Sequence, residues 1–296
     1  MILALGRGYM SEKTIAVVGA GVMGSGLALD LACHCYRVIL KDLTADRLKR
    51  AERAIRSSYQ LVKLKRGESL SVTLDEILGR VKFATDYSEF RDAEIVIENI
   101  TENFEAKRHV YEDLNIICRE NVLFGVNTSC ISITRIASLM SSPDNIIGMH
   151  FLNPVPLKAL VEVIRGRQTS DVTLERTREF LLGLGKTIVV VNDFPGFVTN
   201  RVLMLTINES IWLVQDRVAE PKDIDKIFKL GFEHKMGPLA TADLIGLDTI
   251  LNSLLVLHDS YKDPKFRPCP LLQVMVDAGL LGQKSGKGFF EYSAVR

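Results

Sequence analysis

The chain has 296 residues, 47% of them hydrophobic and 25% charged, the balance of a soluble globular protein with room for one large domain or two smaller ones. That composition excludes a disordered chain, a collagen-like repeat and a small disulfide scaffold. The 37 basic and 36 acidic side chains nearly cancel, so no global field draws the protein to nucleic acid or to a membrane.

Residues 1–13 read as an N-terminal tail. Its first ten residues hold only a short apolar run without a small-residue cleavage site, so they make no convincing signal peptide, and Met10 is an alternative start. Nowhere do about eighteen apolar residues run uninterrupted. No membrane span is expected, and the protein is read as cytoplasmic.

Residues 14–192 alternate short apolar runs with amphipathic stretches. The runs at 15–18, 38–40, 94–97, 122–126, 146–149, 160–164 and 188–191 are rich in β-branched residues and too short for helices. They predict an α/β domain built on a mostly parallel sheet, with a helix between successive strands.

Gly19-Ala20-Gly21-Val22-Met23-Gly24 follows the first run and opens an apolar helix. The first glycine permits a tight turn, the second lets backbone approach a pyrophosphate, and the third allows close helix–strand packing. The helix N-terminus adds free N–H groups. Gly19, Gly21, Val22, Met23 and Gly24 are therefore candidate dinucleotide contacts. Asp42 closes the second run, where an acid accepts from the adenosine ribose hydroxyls and repels a 2′-phosphate. This favours NAD over NADP, with the adjacent Lys41 weakening the exclusion. The fold class that follows is Rossmann-like and doubly wound.

The five cysteines are Cys33, Cys35, Cys118, Cys130 and Cys269, an odd number without a CxxC pair, so neither a disulfide framework nor a zinc cage is indicated. Cys33-His34-Cys35 offers ligand types, but neighbouring helical positions point to different faces, and no metal is expected. After Thr44, a plausible N-cap, Leu48, Ala51, Ile55, Tyr59 and Val62 recur at helical spacing. The other faces carry Arg47, Lys49, Arg50, Arg53, Arg56, Lys63, Lys65 and Arg66. They are either a solvated surface or a landing site for phosphates or an acidic carrier protein.

His150 closes the run at 146–149, and sites in doubly wound sheets sit at the C-terminal ends of strands. Glu162 lies inside the apolar run at 160–164, where an unpaired carboxylate is costly. A His150–Glu162 pair satisfies the acid and orients the imidazole as a base, the group an alcohol oxidation requires. The alternative is a Glu162 that faces solvent from an edge strand.

After residue 192 the strand-like runs stop. Residues 193–296 are read as an all-α C-terminal domain, entered through Phe194-Pro195-Gly196. The stretch 199–215 carries Val202, Leu203, Leu205, Ile207, Ile211, Trp212 and Val214 on nearly all sides, so it is a core helix or part of a subunit interface. Pro221 opens a further helix that Gly231 closes.

Taken together, His150-Phe151-Leu152-Asn153-Pro154-Val155-Pro156, Leu160-Val161-Glu162-Val163-Ile164 and Asp193-Phe194-Pro195-Gly196-Phe197-Val198-Thr199-Asn200-Arg201 resemble the signatures of the 3-hydroxyacyl-CoA dehydrogenases. Asn127-Thr128-Ser129, Met236-Gly237-Pro238-Leu239, Asp243-Leu244-Ile245-Gly246-Leu247-Asp248-Thr249 and Lys284-Ser285-Gly286-Lys287-Gly288-Phe289 extend the likeness over residues 14–292. The resemblance implies NAD-dependent oxidation of an L-3-hydroxyacyl thioester, with His150 as base, Glu162 as its partner, and Ser129 and Asn200 on the substrate oxygens. It also implies that Asn127, Glu102 and Lys107 lie at the cofactor, that Asn153 lies at the substrate, and that the C-terminal domain serves substrate binding and a homodimer.

Residues 57–72, where the family's CoA contacts lie, depart from its pattern. The stretches 237–246 and 265–272 resemble a subgroup from polyketide and hybrid peptide pathways that acts on acyl carrier protein, so CoA and carrier protein both stand as thioester carriers. A free 3-hydroxy acid dehydrogenase and an idle NAD-binding protein are the remaining alternatives.

Overall fold

The computed structural model describes residues 13–67 and 70–292; all but the last residue of the segment read as an N-terminal tail lies outside them. Eight strands form one sheet: β1 (Thr14–Val18), β2 (Arg37–Lys41), β3 (Val81–Ala84), β4 (Ile95–Glu98), β5 (Leu123–Val126), β6 (Ile146–Phe151), β7 (Leu160–Arg165) and β8 (Thr187–Asn192). Their order is β3-β2-β1-β4-β5-β6-β7-β8. Seven strands lie on the expected runs. The eighth, β3, is an edge strand whose one buried residue is Val81, so it has no apolar run to announce it.

All neighbours pair in parallel except β6 and β7, which are antiparallel. The expectation of a helix between successive strands fails there, because an antiparallel return needs no crossover. It fails again between β3 and β4, where the ten residues 85–94 hold a single 3-10 turn, Phe90–Asp92. The strand order reverses beside β1, and this reversal opens the crevice in which doubly wound sheets hold ligands.

Six helices accompany the sheet: α1 (Val22–Cys33), α2 (Ala45–Arg66), α3 (Leu74–Arg80), α4 (Phe104–Ile117), α5 (Ile133–Ala137) and α6 (Asp171–Gly183). In α1, Leu27, Ala28, Leu29, Leu31 and Ala32 are all fully buried. Each leucine there contributes about 1.5–3 kcal/mol from burial. The Thr44 hydroxyl caps α2 by accepting from the Arg47 N–H, and Leu48, Ala51, Ile55, Tyr59 and Val62 form its buried stripe.

Asp30 sits in the buried body of α1, and its charge is answered from two distant segments. Lys186 reaches one carboxylate oxygen at 2.5 Å and Arg66 the other at 3.3 Å. The same two cations donate to the carbonyls of Val155 and Pro156, each at 2.7 Å. A buried charge is tolerated only with such partners, and here they also clamp the loop between β6 and β7.

The contacts divide the chain into two units, the second beginning at Phe194. Its helices are α7 (Thr199–Gln215), α8 (Pro221–Gly231), α9 (Pro238–Ile245), α10 (Leu247–Tyr261) and α11 (Pro270–Asp277). They enclose Ile207, Ile211, Leu239, Leu254, Leu257 and Leu272. Asp225 accepts from the N–H groups of Leu239 and Ala240 at the start of α9, both at 2.9 Å. Asp243, 1% exposed, accepts from the N–H groups of Phe289 and Phe290 and from the Tyr292 hydroxyl at 2.9–3.0 Å. The approach is so close that a Cβ on Gly288 would lie 2.0 Å from the carboxylate. No single helix among the described residues is long and apolar enough to cross a membrane.

Candidate active site

The glycine loop runs from β1 into α1 at the sheet reversal. Gly19 has φ +94°, and a Cβ there would meet the Asn99 carbonyl at 2.7 Å, so the tight turn needs glycine. At Gly24 an added Cβ would strike the Gly19 carbonyl at 1.8 Å. Gly21 differs, with nothing within 4 Å of its Cβ position. It is the N-cap of α1 and makes no side-chain cap, and the first turn holds no acid. The helix N-terminus thus offers N–H groups to open space, with Val22 exposed and Met23 partly buried behind it. This cradle fits a dinucleotide pyrophosphate.

Asp42, at the end of β2, has both oxygens engaged. Oδ2 accepts from the Ala20 N–H at 2.8 Å, and Oδ1 from the Leu43 N–H at 2.7 Å and from Arg47 at 3.2 Å. Burial pushes its carboxyl up, but these donors outweigh it and hold the group below its ordinary range. A cleft of about 460 Å³ lies alongside, lined by Gly19, Asp42, Tyr87, Ile100, His109 and Val110 among others. Lys41 is buried with its ammonium 4.1 Å from the centre of the Tyr87 ring. Burial lowers the Lys41 pKa, and it pushes the Tyr87 phenol up to about 12.

The antiparallel pairing of β6 and β7 sets His150 directly opposite Glu162. Nδ1 of His150 lies 3.0 Å from Glu162 Oε2, and Nε2 lies 3.1 Å from Ser129 Oγ. His150 is 5% and Glu162 3% exposed. β7 is an interior strand, so the edge-strand alternative for Glu162 does not describe this fold. Ser129 belongs to the turn after β5, and the structure brings all three side chains into one line.

Glu102 holds that turn. Its Oε1 accepts from the Thr128 hydroxyl at 2.6 Å and from the N–H groups of Ser129 and Cys130 at 3.0 and 2.8 Å. Lys107 is fully buried. It donates to both oxygens of Glu98 at 2.7–2.8 Å and to the Asn127 carbonyl at 3.4 Å. Burial pushes the Glu98 carboxyl up, and Lys107 pulls it back. The Asn127 side chain bridges from Asn99, at 2.6 Å, to the Phe151 N–H, at 3.2 Å, so it ties β5 to the residue after His150. Asn153 is exposed in the loop after β6. Asn200 is partly buried in the first turn of α7 and belongs to the second unit.

Sequence reasoning passed over Glu98 and Asn99. The available signal was an acid closing the third run, as Asp42 closes the second, with a lysine nine positions on. Among the described residues no cluster of His, Cys, Asp and Glu is arranged to hold a metal. Cys33 is buried and Cys35 exposed.

The chain matches the family model for the 3-hydroxyacyl-CoA dehydrogenase NAD binding domain over residues 14–194 and that for the C-terminal domain over residues 196–292. It is 48% identical over 276 residues, 93% of this chain and 99% of the relative, to a probable 3-hydroxybutyryl-CoA dehydrogenase of Deinococcus radiodurans. Identity to the 3-hydroxybutyryl-CoA dehydrogenase of Bradyrhizobium diazoefficiens is 42% over 288 residues, 96% of this chain and 97% of the relative. The crystal structure of an (S)-3-hydroxybutyryl-CoA dehydrogenase from Ralstonia eutropha superposes with a TM-score of 0.87 at 41% identity. That match covers 96% of this chain and 100% of the other.

Proposed function

The chain belongs to the 3-hydroxyacyl-CoA dehydrogenase family and is an NAD-dependent oxidoreductase acting on a CH–OH group; on that premise we propose that it oxidises a short L-3-hydroxyacyl-CoA to the 3-oxoacyl thioester, with His150 as the base. The observation that carries this reading is the line Ser129–His150–Glu162, its last two members buried. The glycine loop holds the pyrophosphate, and Asp42 receives the adenosine ribose. When bound, NAD supplies the hydride acceptor.

His150 Nε2 takes the proton of the substrate hydroxyl. Glu162 keeps the Nδ1 proton in place and stabilises the imidazolium that forms. Ser129 Oγ, within reach of Nε2, fixes the reacting oxygen on the imidazole. Glu102 and Lys107 serve the cofactor end by holding the Ser129 turn and the Asn127 carbonyl. The resemblance also assigns substrate contact to Asn153, in the loop after β6, and to Asn200, in the first turn of α7.

The second unit supplies the surface for a homodimer. α7, expected as a core helix or part of a subunit interface, is covered on one side only within one chain, since Val202 is 59% exposed while Ile207 and Ile211 are buried. Leu230, Phe232 and Val274 of the same unit are also more than half exposed. Exposed large apolar side chains of this kind are candidate contacts for association. The enzyme is assigned to the cytoplasm, consistent with its five free thiols.

A second reading replaces CoA by an acyl carrier protein, and the specific feature favouring it is α2, which exposes Lys49, Arg50, Arg53, Lys63 and Lys65. The test follows NADH oxidation with acetoacetyl-CoA and, in parallel, with acetoacetyl on a carrier protein. Equal or faster turnover of the CoA ester supports the proposal. Activity confined to the carrier-bound group transfers the function to biosynthesis, and activity on free 3-oxo acids alone overturns the thioester assignment.

A further inference from the structure

His150 and Glu162 stand on neighbouring strands joined by the return 152–159, between β6 and β7. A tight hairpin sets register through its turn type. A longer return leaves the register to whatever holds it. The stakes are high here, because a slip of one residue along β7 would turn Glu162 to the other face of the sheet and take it from His150. Val155 and Pro156 of the return are buried. They rest on α1, where a Cβ on Gly26 would lie 3.5 Å from the Val155 Cβ. Carbonyls in such a place need partners other than water. The N–H groups of Leu157 and Lys158 are met within the return by the Pro154 carbonyl, at 3.0 and 3.1 Å. The carbonyls of Val155, Pro156 and Lys158 are met instead by side chains from elsewhere.

Lys186 enters from the start of β8. Gly185, at φ +65°, turns the chain out of α6, and the Lys186 N–H donates to the Leu181 carbonyl at 3.0 Å. An ammonium has three donors, and this one faces three oxygens. They are the carbonyls of Val155 at 2.7 Å and Lys158 at 3.1 Å, and Asp30 Oδ2 at 2.5 Å. Lys186 is 4% exposed. One residue on, the Thr187 N–H donates to the Ala159 carbonyl at 2.7 Å, and Leu160 pairs with Thr187 as β7 begins. Lys186 thus pins both ends of the 155–158 turn to the point from which β7 is laid on β8. Arg66, the last residue of α2, holds the Pro156 carbonyl at 2.7 Å and shares Asp30. Buried ion pairs often stabilise a fold no more than apolar side chains of the same volume. What this one adds is a fixed place for three carbonyls.

We propose that Lys186 and Arg66, with Asp30 between them, are positioning residues for the catalytic pair: by fixing the return they set the register of β7 on β6 that keeps Glu162 against His150. The proposal rests on the reading that His150 and Glu162 carry the proton transfer. The three residues act through the return. Without them it relaxes, Glu162 drifts from Nδ1, and the chemical step slows. The cofactor end is spared, since none of the three lines the cleft beside Asp42.

The test is a mutant cycle on the full chain. Acetoacetyl-CoA reduction gives kcat and KM, and NADH fluorescence gives cofactor affinity and the number of folded sites. Arg66→Met removes the donor to Pro156 and leaves Asp30 paired with Lys186. It should lower kcat by about tenfold, within the range that a small misplacement costs, and leave NADH affinity in place. Arg66→Lys restores a donor and should recover most of that loss. Asp30→Asn combined with Lys186→Met withdraws both buried charges together and should lower kcat further. Added to Glu162→Gln, Arg66→Met should cost less than it does alone, because both changes act on one pair. Wild-type kcat in either folded variant, with only a lowered Tm, reduces the clamp to a structural role and overturns the proposal. Losses that simply multiply in the cycle overturn it too. A rise in KM alone makes Arg66 a substrate contact, and the proposal falls. Should the variant at Asp30 and Lys186 fail to fold, the Arg66→Met cycle decides. The premise fails separately: wild-type turnover in His150→Ala or Glu162→Gln overturns the catalytic pair itself, whatever the clamp variants do.

Discussion

His150, Glu162 and Ser129 form a chain of polar contacts in an otherwise dry strand pair, so each should be felt separately in turnover. His150→Ala is expected to lower kcat by about 100- to 10,000-fold, the usual contribution of a positioned base. NADH affinity should hold, because no cofactor contact is removed. Near-normal turnover would sink the base assignment. Glu162→Gln keeps the volume but removes the charge that stabilises the imidazolium, and a smaller loss in kcat is expected with KM for NAD unchanged. Asp42 carries a prediction about pH. Its folded pKa lies below the ordinary value, so the unfolded chain takes up the proton first. The stability it contributes is full above the ordinary carboxylate range, near 4, and is lost as pH falls through the lower folded value. Melting temperatures of wild type and Asp42→Asn should differ most at pH 7 and converge in acid. A gap that widens in acid would contradict the sign. His150 and Glu162 were legible because one ends an apolar run and the other breaks one, whereas Ser129 came only from the family resemblance. The Asp30–Lys186–Arg66 cluster was not legible, since its members come from three distant segments and none is unusual in its own neighbourhood.

At the level of elements, the antiparallel strand pair β6–β7 sets His150 opposite Glu162, and its close packing can be tested. A Cβ on Gly148 would lie 2.7 Å from the Ile164 Cβ and 2.9 Å from the Ile133 Cδ1. Gly148→Ala should therefore force β6 away from β7 and cost about 1–3 kcal/mol, as overpacking does. Because His150 stands two residues further along β6, kcat should fall with stability, and wild-type values for both would refute this account. Most strands could be read from sequence because parallel strands buried on both faces are continuous apolar runs. β3 escaped because an edge strand with Lys82 and partly buried Phe83 carries no such run. The reversal at β7 escaped because an interior strand looks the same whichever way it runs.

For the molecule as a whole, the exposed apolar side chains of the second unit predict association. Gel filtration with light scattering at micromolar concentration should return twice the chain mass. Replacing Leu230 and Phe232, 73% and 62% exposed, by polar residues should shift it towards one. Monomeric wild-type protein would remove this reading. The apolar character of α7 was visible from its residues. Which neighbour covers its exposed side is a property of association, and a single sequence does not encode it locally. The Asp243 clasp concerns the order in which the chain is made. Its donors lie 46 to 49 residues downstream of the acid they satisfy. At about 5–20 residues per second, a ribosome needs roughly 2–10 s to cover that distance. During that interval the three donors that satisfy Asp243 in the folded unit do not yet exist. The unit therefore closes late in synthesis, and a chain arrested before Phe289 should be the form that proteases and chaperones find open.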